Sequence, residues 1–86
     1  MTPADICIRQ IDCASTLTDT TVIERVDAAL DLLMASYSSP TEKILALERV
    51  HSAFFRRRRS VRGTPFGCFV MRNLDRRQTM IIKTAA

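Results

Sequence analysis

The chain has 86 residues, of which 47% are apolar, and a formal net charge of +4. This length allows one small domain that buries only about 60–65% of its unfolded surface, so a homodimer or a protein partner would add stability; the apolar content excludes a wholly disordered chain. No apolar run approaches the roughly 18 residues of a membrane span, and the N-terminus lacks a signal-peptide pattern. Three scattered cysteines exclude a disulfide scaffold. We therefore expect a cytoplasmic protein with no cofactor and no membrane partner.

The first predicted element is a short strand. Residues 6–11 (I-C-I-R-Q-I) are rich in β-branched side chains and roughly alternate in polarity, which favours an extended conformation. Residues 13–20 are mostly Ser, Thr and Asp and predict a loop. We therefore expect residues 1–18 to be partly flexible.

Two amphipathic helices follow. Thr21 and Glu24 have the spacing of a capping box, and this start predicts a helix over 20–36. Ser39, Pro40 and Glu42 supply an N-cap, a proline at the first helical position and a carboxylate at the third, which predicts a helix over 40–58. The short connection between them predicts an antiparallel hairpin, with core stripes formed by Val22, Val26, Leu30, Leu33 and Tyr37 and by Ile44, Leu47, Val50 or His51, and Phe54.

A β-hairpin is predicted after Gly63-Thr-Pro65. Residues 66–72 and 78–84 are two β-favouring runs, and residues 73–77 supply turn chemistry between them. The expected fold class is α+β, in which a two-helix antiparallel hairpin carries a C-terminal β-hairpin and a short N-terminal strand. The chain would form a single domain over 1–86, with 60–86 as a basic hairpin or as a tail that folds on its partner.

The charge is divided between the two parts of the chain. Residues 1–50 have eight acidic and four basic side chains, a net of −4, whereas residues 51–86 have nine basic side chains against Asp75 alone, a net of +8. Eleven of the thirteen cations are arginine, whose planar fork suits phosphate recognition. We therefore predict a nucleic-acid-binding surface, with DNA favoured over RNA and with steep salt dependence, formed by Arg56, Arg57, Arg58, Arg59, Arg62, Arg72, Arg76 and Arg77. The alternative is that these arginines form a solvated helix end or bind the acidic half of the chain in a dimer.

The C-terminal segment resembles the wing of MarR-type winged-helix regulators. Residues 72–84 read R-N-L-D-R-R-Q-T-M-I-I-K-T, and in that family an Asp-Arg-Arg turn leads into an apolar strand that closes on threonine. Residues 67–70 would be the strand that enters the wing, although Lys83 stands where the family has leucine. The resemblance covers residues 67–84 and implies that Arg76 and Arg77 lie on a wing near the DNA minor groove.

Two further resemblances are weaker in sequence. A strand, two helices and a basic hairpin are similar in topology to the RelE/ParE toxin superfamily, which implies RNA cleavage with His51, Arg62, Arg72 and Arg76 as candidate residues. Residues 37–44 (Y-S-S-P-T-E-K-I) are similar to the turn before the second helix of ribbon-helix-helix antitoxins. That resemblance implies an N-terminal strand in the DNA major groove, with Arg9 as its charged reader.

The other polar candidates have simpler interpretations. His51 lies on or beside the apolar stripe of the second helix, where a single histidine is more often packed than catalytic. The scattered spacing of Cys7, Cys13 and Cys68 argues against a metal site and favours buried apolar roles. Glu24, Asp27 and Asp31 share one helix face, which predicts a solvated acidic surface or a docking site for a basic partner.

These observations predict a small, non-enzymatic, nucleic-acid-binding regulatory protein that acts on bacterial transcription, as a homodimer or with a protein partner. One alternative is a protein-interaction regulator, an antiactivator or adaptor, that presents the helical hairpin to its target. The other is an RNA-cleaving toxin, whose expression would arrest growth until His51 or Arg76 was substituted.

Overall fold

A computed structural model describes residues 1–15, 21–56 and 64–85 of the chain. Within these ranges the chain forms four helices and no strand: α1 (Pro3–Ala14), α2 (Thr21–Ala35), α3 (Pro40–Phe55) and α4 (Pro65–Ala85). The expected α+β class is therefore wrong, and the fold is all-helical. The two helices predicted in the middle of the chain are confirmed, since α2 and α3 match the predictions over 20–36 and 40–58 within the described residues.

The segment predicted as an N-terminal strand is helix α1. Its start is fixed by a capping box, in which the Asp5 amide donates to Thr2 Oγ1 over 3.2 Å and the Thr2 amide donates to Asp5 Oδ2 over 3.2 Å. The hydrogen bonds from Thr2 also lower the pKa of the Asp5 carboxyl. Pro3 occupies the first helical turn, where its missing amide costs nothing. These local signals outweigh the β-branched content of residues 6–11.

The segment predicted as a β-hairpin is the single long helix α4. The Gly67 amide donates to Thr64 Oγ1 over 3.1 Å, so Thr64 caps the helix and Pro65 begins it. The predicted turn at 73–77 contains neither glycine nor proline, and nothing in it stops a helix. A MarR wing is a β-hairpin, and the RelE/ParE and ribbon-helix-helix topologies both need an N-terminal strand. In the described chain, the segments that would form these strands are helical. None of the three resemblances therefore keeps the strand on which it depends.

Every helix contributes one apolar stripe to a shared core. The stripe on α1 recurs every three or four residues, as a helix requires, and α4 repeats the pattern with Val70, Leu74 and Ile81. The predicted stripes of α2 and α3 are confirmed, although Val22, Tyr37, Ile44 and His51 are only half-buried. The buried apolar core residues in the described part of the chain are Ala4, Cys7, Ile11, Ala14, Val26, Ala29, Leu30, Leu33, Ala46, Leu47, Val50, Phe54, Val70, Leu74 and Ile81.

The pairing of helices differs from the predicted hairpin. Helix α2 packs mainly against α1, and α3 packs mainly against α4, while α1 also contacts α3. Contact between α2 and α3 is comparatively slight. Helices α1 and α2 run antiparallel, because Cys13 lies near Thr21 at one end of their interface and Pro3 lies near Ser36 at the other. The core is thus made of two helix pairs rather than of one hairpin.

Substitution of Thr79 tests whether residues 78–84 are helical. Thr79 is exposed on α4, and its hydroxyl donates to the Asp75 carbonyl over 2.9 Å. Because alanine is the best helix former, Thr79→Ala should raise the free energy of unfolding by about 0.5 kcal/mol, whereas Thr79→Val should leave it nearly unchanged. Urea unfolding followed by circular dichroism measures both. A strand would give the opposite order, with Thr79→Ala the less stable variant.

A second test concerns Cys7, which is buried in the core. Burial raises the pKa of its thiol from 9.0 to about 11, against the opposing effect of the Arg77 charge. The folded state therefore holds a proton that the unfolded state loses above pH 9, so this contribution to stability is complete below that pH and is lost as pH rises toward 11. We expect the free energy of unfolding to fall by about 2 kcal/mol between pH 8 and 11 through this group alone.

Cys7→Ala supplies the comparison for that titration. It should start less stable at pH 8, because it leaves a small cavity, and its stability should fall less than that of the unsubstituted chain as pH rises. Parallel pH profiles for the two proteins would show that the Cys7 thiol does not contribute.

Candidate nucleic-acid interface

The predicted arginines fall into three groups. Arg72 and Arg76 are exposed on α4, and Arg56 is exposed at the C-cap of α3. Arg77 is turned into the protein, with 15% of its side chain exposed. Arg57, Arg58, Arg59 and Arg62 lie outside the described residues. The structure therefore brings Arg72 and Arg76 together on one surface and removes Arg77 from it.

Helix α4 carries a basic stripe directly opposite its buried face. The stripe consists of Arg72, Arg76 and Lys83, with Thr79 between the last two, and all four residues are exposed. Their spacings of four, three and four residues keep them within a narrow sector of a helix. Within the described chain, none of the three cations pairs with a carboxylate. The basic stripe is therefore available to an external anion.

Arg77 occupies the other side of the same helix and binds α2. Its Nη1 donates to Asp31 Oδ1 over 2.6 Å, and its Nη2 donates to Asp27 Oδ1 over 3.3 Å and to the Asp27 carbonyl oxygen over 3.4 Å. Its Nη1 also lies 3.4 Å from Met34 Sδ. A forked guanidinium is the only side chain that can reach this many acceptors at once.

Asn73 completes this arrangement, which we call the Arg77 cluster (Asp27, Asp31, Asn73 and Arg77). Asn73 is the only buried polar side chain among the described residues, and 3% of it is exposed. Its Nδ2 donates to Asp27 Oδ1 over 2.6 Å, while its Oδ1 accepts from Arg77 Nε over 2.8 Å. Both ends of the amide are thereby satisfied, so its burial carries little penalty.

The acidic face of α2 is explained in part by this cluster. It was expected to be solvated or to dock a basic partner, and Asp27 and Asp31 instead bind an arginine of the same chain. Glu24 remains exposed. The negative first half and the positive second half of the chain therefore meet at the α2–α4 contact, but only one of the predicted arginines is used there among the described residues.

His51 contacts one carboxylate and one aromatic ring. It lies on α3, its Nε2 is 3.7 Å from Asp75 Oδ1, and its ring stacks on Phe55 with centroids 6.2 Å apart. Both partners of the ion pair are partly exposed, so the pair contributes little stability. The contact matters for the charge of the basic stripe. Asp75 is the one acidic residue of 51–86, and its carboxylate lies beside His51 on α3 rather than beside a cation of the stripe.

The predicted buried role of the three cysteines is confirmed for Cys7 and wrong for Cys13 and Cys68. Cys7 is buried while Cys13 and Cys68 are exposed, and the His, Cys, Asp and Glu side chains of residues 1–15, 21–56 and 64–85 form no cluster that could hold a metal ion. In those same ranges no helix is long and apolar enough to cross a membrane. No protein-family model, curated protein or solved structure matches this chain.

Sequence reasoning missed two members of the basic stripe and the whole Arg77 cluster. Thr79 and Lys83 were assigned to a strand, although their spacing from Arg72 and Arg76 already fits one helix face. Arg77 was grouped with its neighbours because charge alone cannot distinguish Arg76 from Arg77. The distinguishing signal was periodicity, since Arg77 continues the buried positions 70, 73, 74 and 81.

Substitution of Arg77 tests the cluster against the stripe. Arg77→Ala should lower the free energy of unfolding by about 2–3 kcal/mol, because it leaves Asn73 without one partner and Asp27 without its counter-charge. The matched change Arg76→Ala should alter it by no more than about 0.5 kcal/mol, since Arg76 is exposed and unpaired. Urea unfolding provides both values.

A double-mutant cycle with Asp27→Asn then isolates the contact. A coupling of about 1 kcal/mol or more between positions 27 and 77 is expected for hydrogen-bonded neighbours. Equal losses in the two arginine variants, with no coupling to Asp27, would contradict the cluster.

Proposed function

We propose that this protein is a small, non-enzymatic regulator that binds nucleic acid, DNA in preference to RNA, through helix α4. The observation that carries the proposal is the basic stripe of Arg72, Arg76 and Lys83, which is exposed and has no carboxylate partner in the described chain. The proposal places the protein in the cytoplasm and its action at transcription.

The dimensions of the stripe suit a duplex. At about 1.5 Å per residue, the eleven residue steps from Arg72 to Lys83 span roughly 16 Å along the helix axis. The DNA major groove is about 12 Å wide and admits one α-helix, so α4 can lie in or along it with the stripe facing phosphates. Arginine is the residue type best suited to this contact, because its donors match phosphate oxygens in pairs.

The sequence that contains the stripe is also rich in positive charge. Residues 51–86 contain nine cations and one acid, and the acid, Asp75, lies next to His51. Arg56 is exposed where α3 ends, and Arg57, Arg58, Arg59 and Arg62 lie between it and Thr64 in sequence. We include these five arginines in the proposed interface and omit Arg77, whose guanidinium is already bound by Asp27 and Asp31.

A homodimer would strengthen such binding. A single stripe offers three cations, whereas regulators of transcription commonly place two equivalent helices about one turn of DNA apart. Eight large apolar residues are exposed in the described chain, which is consistent with association through some of them. The homodimer is part of the proposal, and the number of subunits is measured as the mass of the protein in solution.

The proposal is tested by fluorescence anisotropy with labelled duplex DNA and single-stranded RNA over a salt series. The triple variant Arg72→Ala, Arg76→Ala, Lys83→Ala removes the three charges of the stripe. It should reduce the steepness of the plot of log binding constant against log salt concentration by about 2.7, since each phosphate contact contributes about 0.9. The binding constant for duplex DNA should exceed that for RNA at every salt concentration.

The matched control is the triple variant Arg9→Ala, Arg25→Ala, Arg49→Ala, which removes three positive charges outside α4. It should leave the slope unchanged, because these exposed residues lie on α1, α2 and α3. Absence of binding at low salt, or equal losses in both triple variants, would exclude α4 as the interface. A further variant, Arg56–Arg59→Ala, measures what the arginine run adds.

A further inference from the structure

Helices α1 and α2 leave an open groove on the side of α2 away from the Arg77 cluster. We call it the α1–α2 groove and define it by Ile6, Arg9 and Cys13 on α1 and Arg25, Ala28 and Leu32 on α2. Its wide end has a volume of about 480 Å³ and its narrow end about 100 Å³. The two parts share Gln10, Ala29 and Leu32, so they form one continuous channel.

The groove has the shape of a seat for a helix. It extends from Thr21 to Ser36 along α2, which at about 1.5 Å per residue is roughly 22 Å, or four helical turns. Ala28 and Ala29 are small residues on its floor, and small side chains allow a second backbone to approach closely. A drug-sized ligand would fill only part of an open channel of this length.

The walls of the groove include two large, exposed aliphatic side chains. Leu32 is 57% exposed and Ile6 is 42% exposed, one on each side of the channel. Two large aliphatic side chains left in water along one channel are the anchors that an amphipathic helix uses when it inserts its apolar face. The groove can therefore bury apolar surface on a partner without rearrangement of its own helices.

The charge at the groove selects the partner. Residues 1–50 contain eight acids and only four bases, yet two of those four bases, Arg9 and Arg25, line the wide end of the groove. Both are exposed, and no carboxylate of the described chain pairs with either. Unpaired cations beside an apolar channel favour an occupant that carries carboxylates next to its apolar face.

We propose that the α1–α2 groove binds an amphipathic helix of another protein, with apolar residues at helical spacing and acidic residues on its flanks. The acidic flanks pair with Arg9 and Arg25, and the apolar face packs on Ile6, Ala28 and Leu32. A second copy of this chain fits less well, because two grooves packed face to face would bring four arginines together. The interaction does not depend on nucleic acid, so it stands apart from the proposed function of α4.

The test uses two designed 16-residue peptides that are labelled with fluorescein. One has leucines at positions i, i+4, i+7 and i+11 with glutamate on both flanks, and the other has lysine in place of every glutamate. Fluorescence polarisation with the full chain should show the glutamate peptide binding at least tenfold more tightly than the lysine peptide. Charge reversal in Arg9→Glu, Arg25→Glu should invert that preference.

Steric filling provides the second variant. Ala28→Trp places a large side chain on an exposed position of the groove floor and should weaken binding of the glutamate peptide at least tenfold. Leu45→Trp places the same side chain on the exposed face of α3 and should have no effect. Duplex DNA binding should be the same in Ala28→Trp as in the unsubstituted chain, so a failure of α4 to bind DNA would be seen separately.

Three results would overturn the proposal. The first is that neither peptide binds, and the second is that binding is insensitive to Arg9→Glu, Arg25→Glu and to Ala28→Trp. The third is self-association of the chain in sedimentation velocity that Ala28→Trp abolishes, which would assign the groove to a second copy. A tight complex with the glutamate peptide, lost in Ala28→Trp and retained in Leu45→Trp, supports it.

Discussion

The Arg77 cluster is the constraint on which the arrangement of the two halves depends. Arg77 is mostly buried, and a buried guanidinium is tolerated only where several acceptors surround it. Asp27, Asp31 and Asn73 supply those acceptors, and Asn73 can do so only because residues 73 and 77 are one turn apart in a helix. The cluster therefore fixes the rotation of α4 about its axis, and this rotation directs Arg72, Arg76 and Lys83 away from the protein.

The cluster neutralises only a small part of the divided charge of the sequence. Opposite net charges in two halves of a chain are able to neutralise each other, but here the described contacts between α2 and α4 use Arg77 alone. The remaining cations of α4 lie on the opposite face, where no acid of α2 can reach them. Among the described cations of residues 51–86, Arg56, Arg72, Arg76 and Lys83 are thus exposed rather than used to hold the fold together. The core is held mainly by apolar stripes.

The sequence was sufficient where two independent signals agreed. For α3, the Ser39-Pro40 start and the apolar period pointed to the same helix, and its predicted core residues Leu47, Val50 and Phe54 are buried. For α1 and α4, the β-favouring composition of the segments predicted strands, whereas the Thr-Pro pair before each segment is typical of a helix start. All three prolines directly follow Ser or Thr, and Thr2-Pro3 and Thr64-Pro65 start helices just as Ser39-Pro40 does. Periodicity places Asn73 and Arg77 on the buried side of α4, but their pairing with α2 was beyond reach, because it joins residues 46 to 50 positions apart in sequence.

The two proposed surfaces are compatible because they occupy opposite parts of the molecule. The α1–α2 groove and the Arg77 cluster lie on different sides of α2, and the basic stripe lies on the far face of α4. The groove is lined by residues of α1 and α2 and the stripe by residues of α4, so the two proposed partners would share no contact residue. In this 86-residue chain the two surfaces are linked through the packing of α1 on α3, to which Arg77 adds hydrogen bonds between α4 and α2.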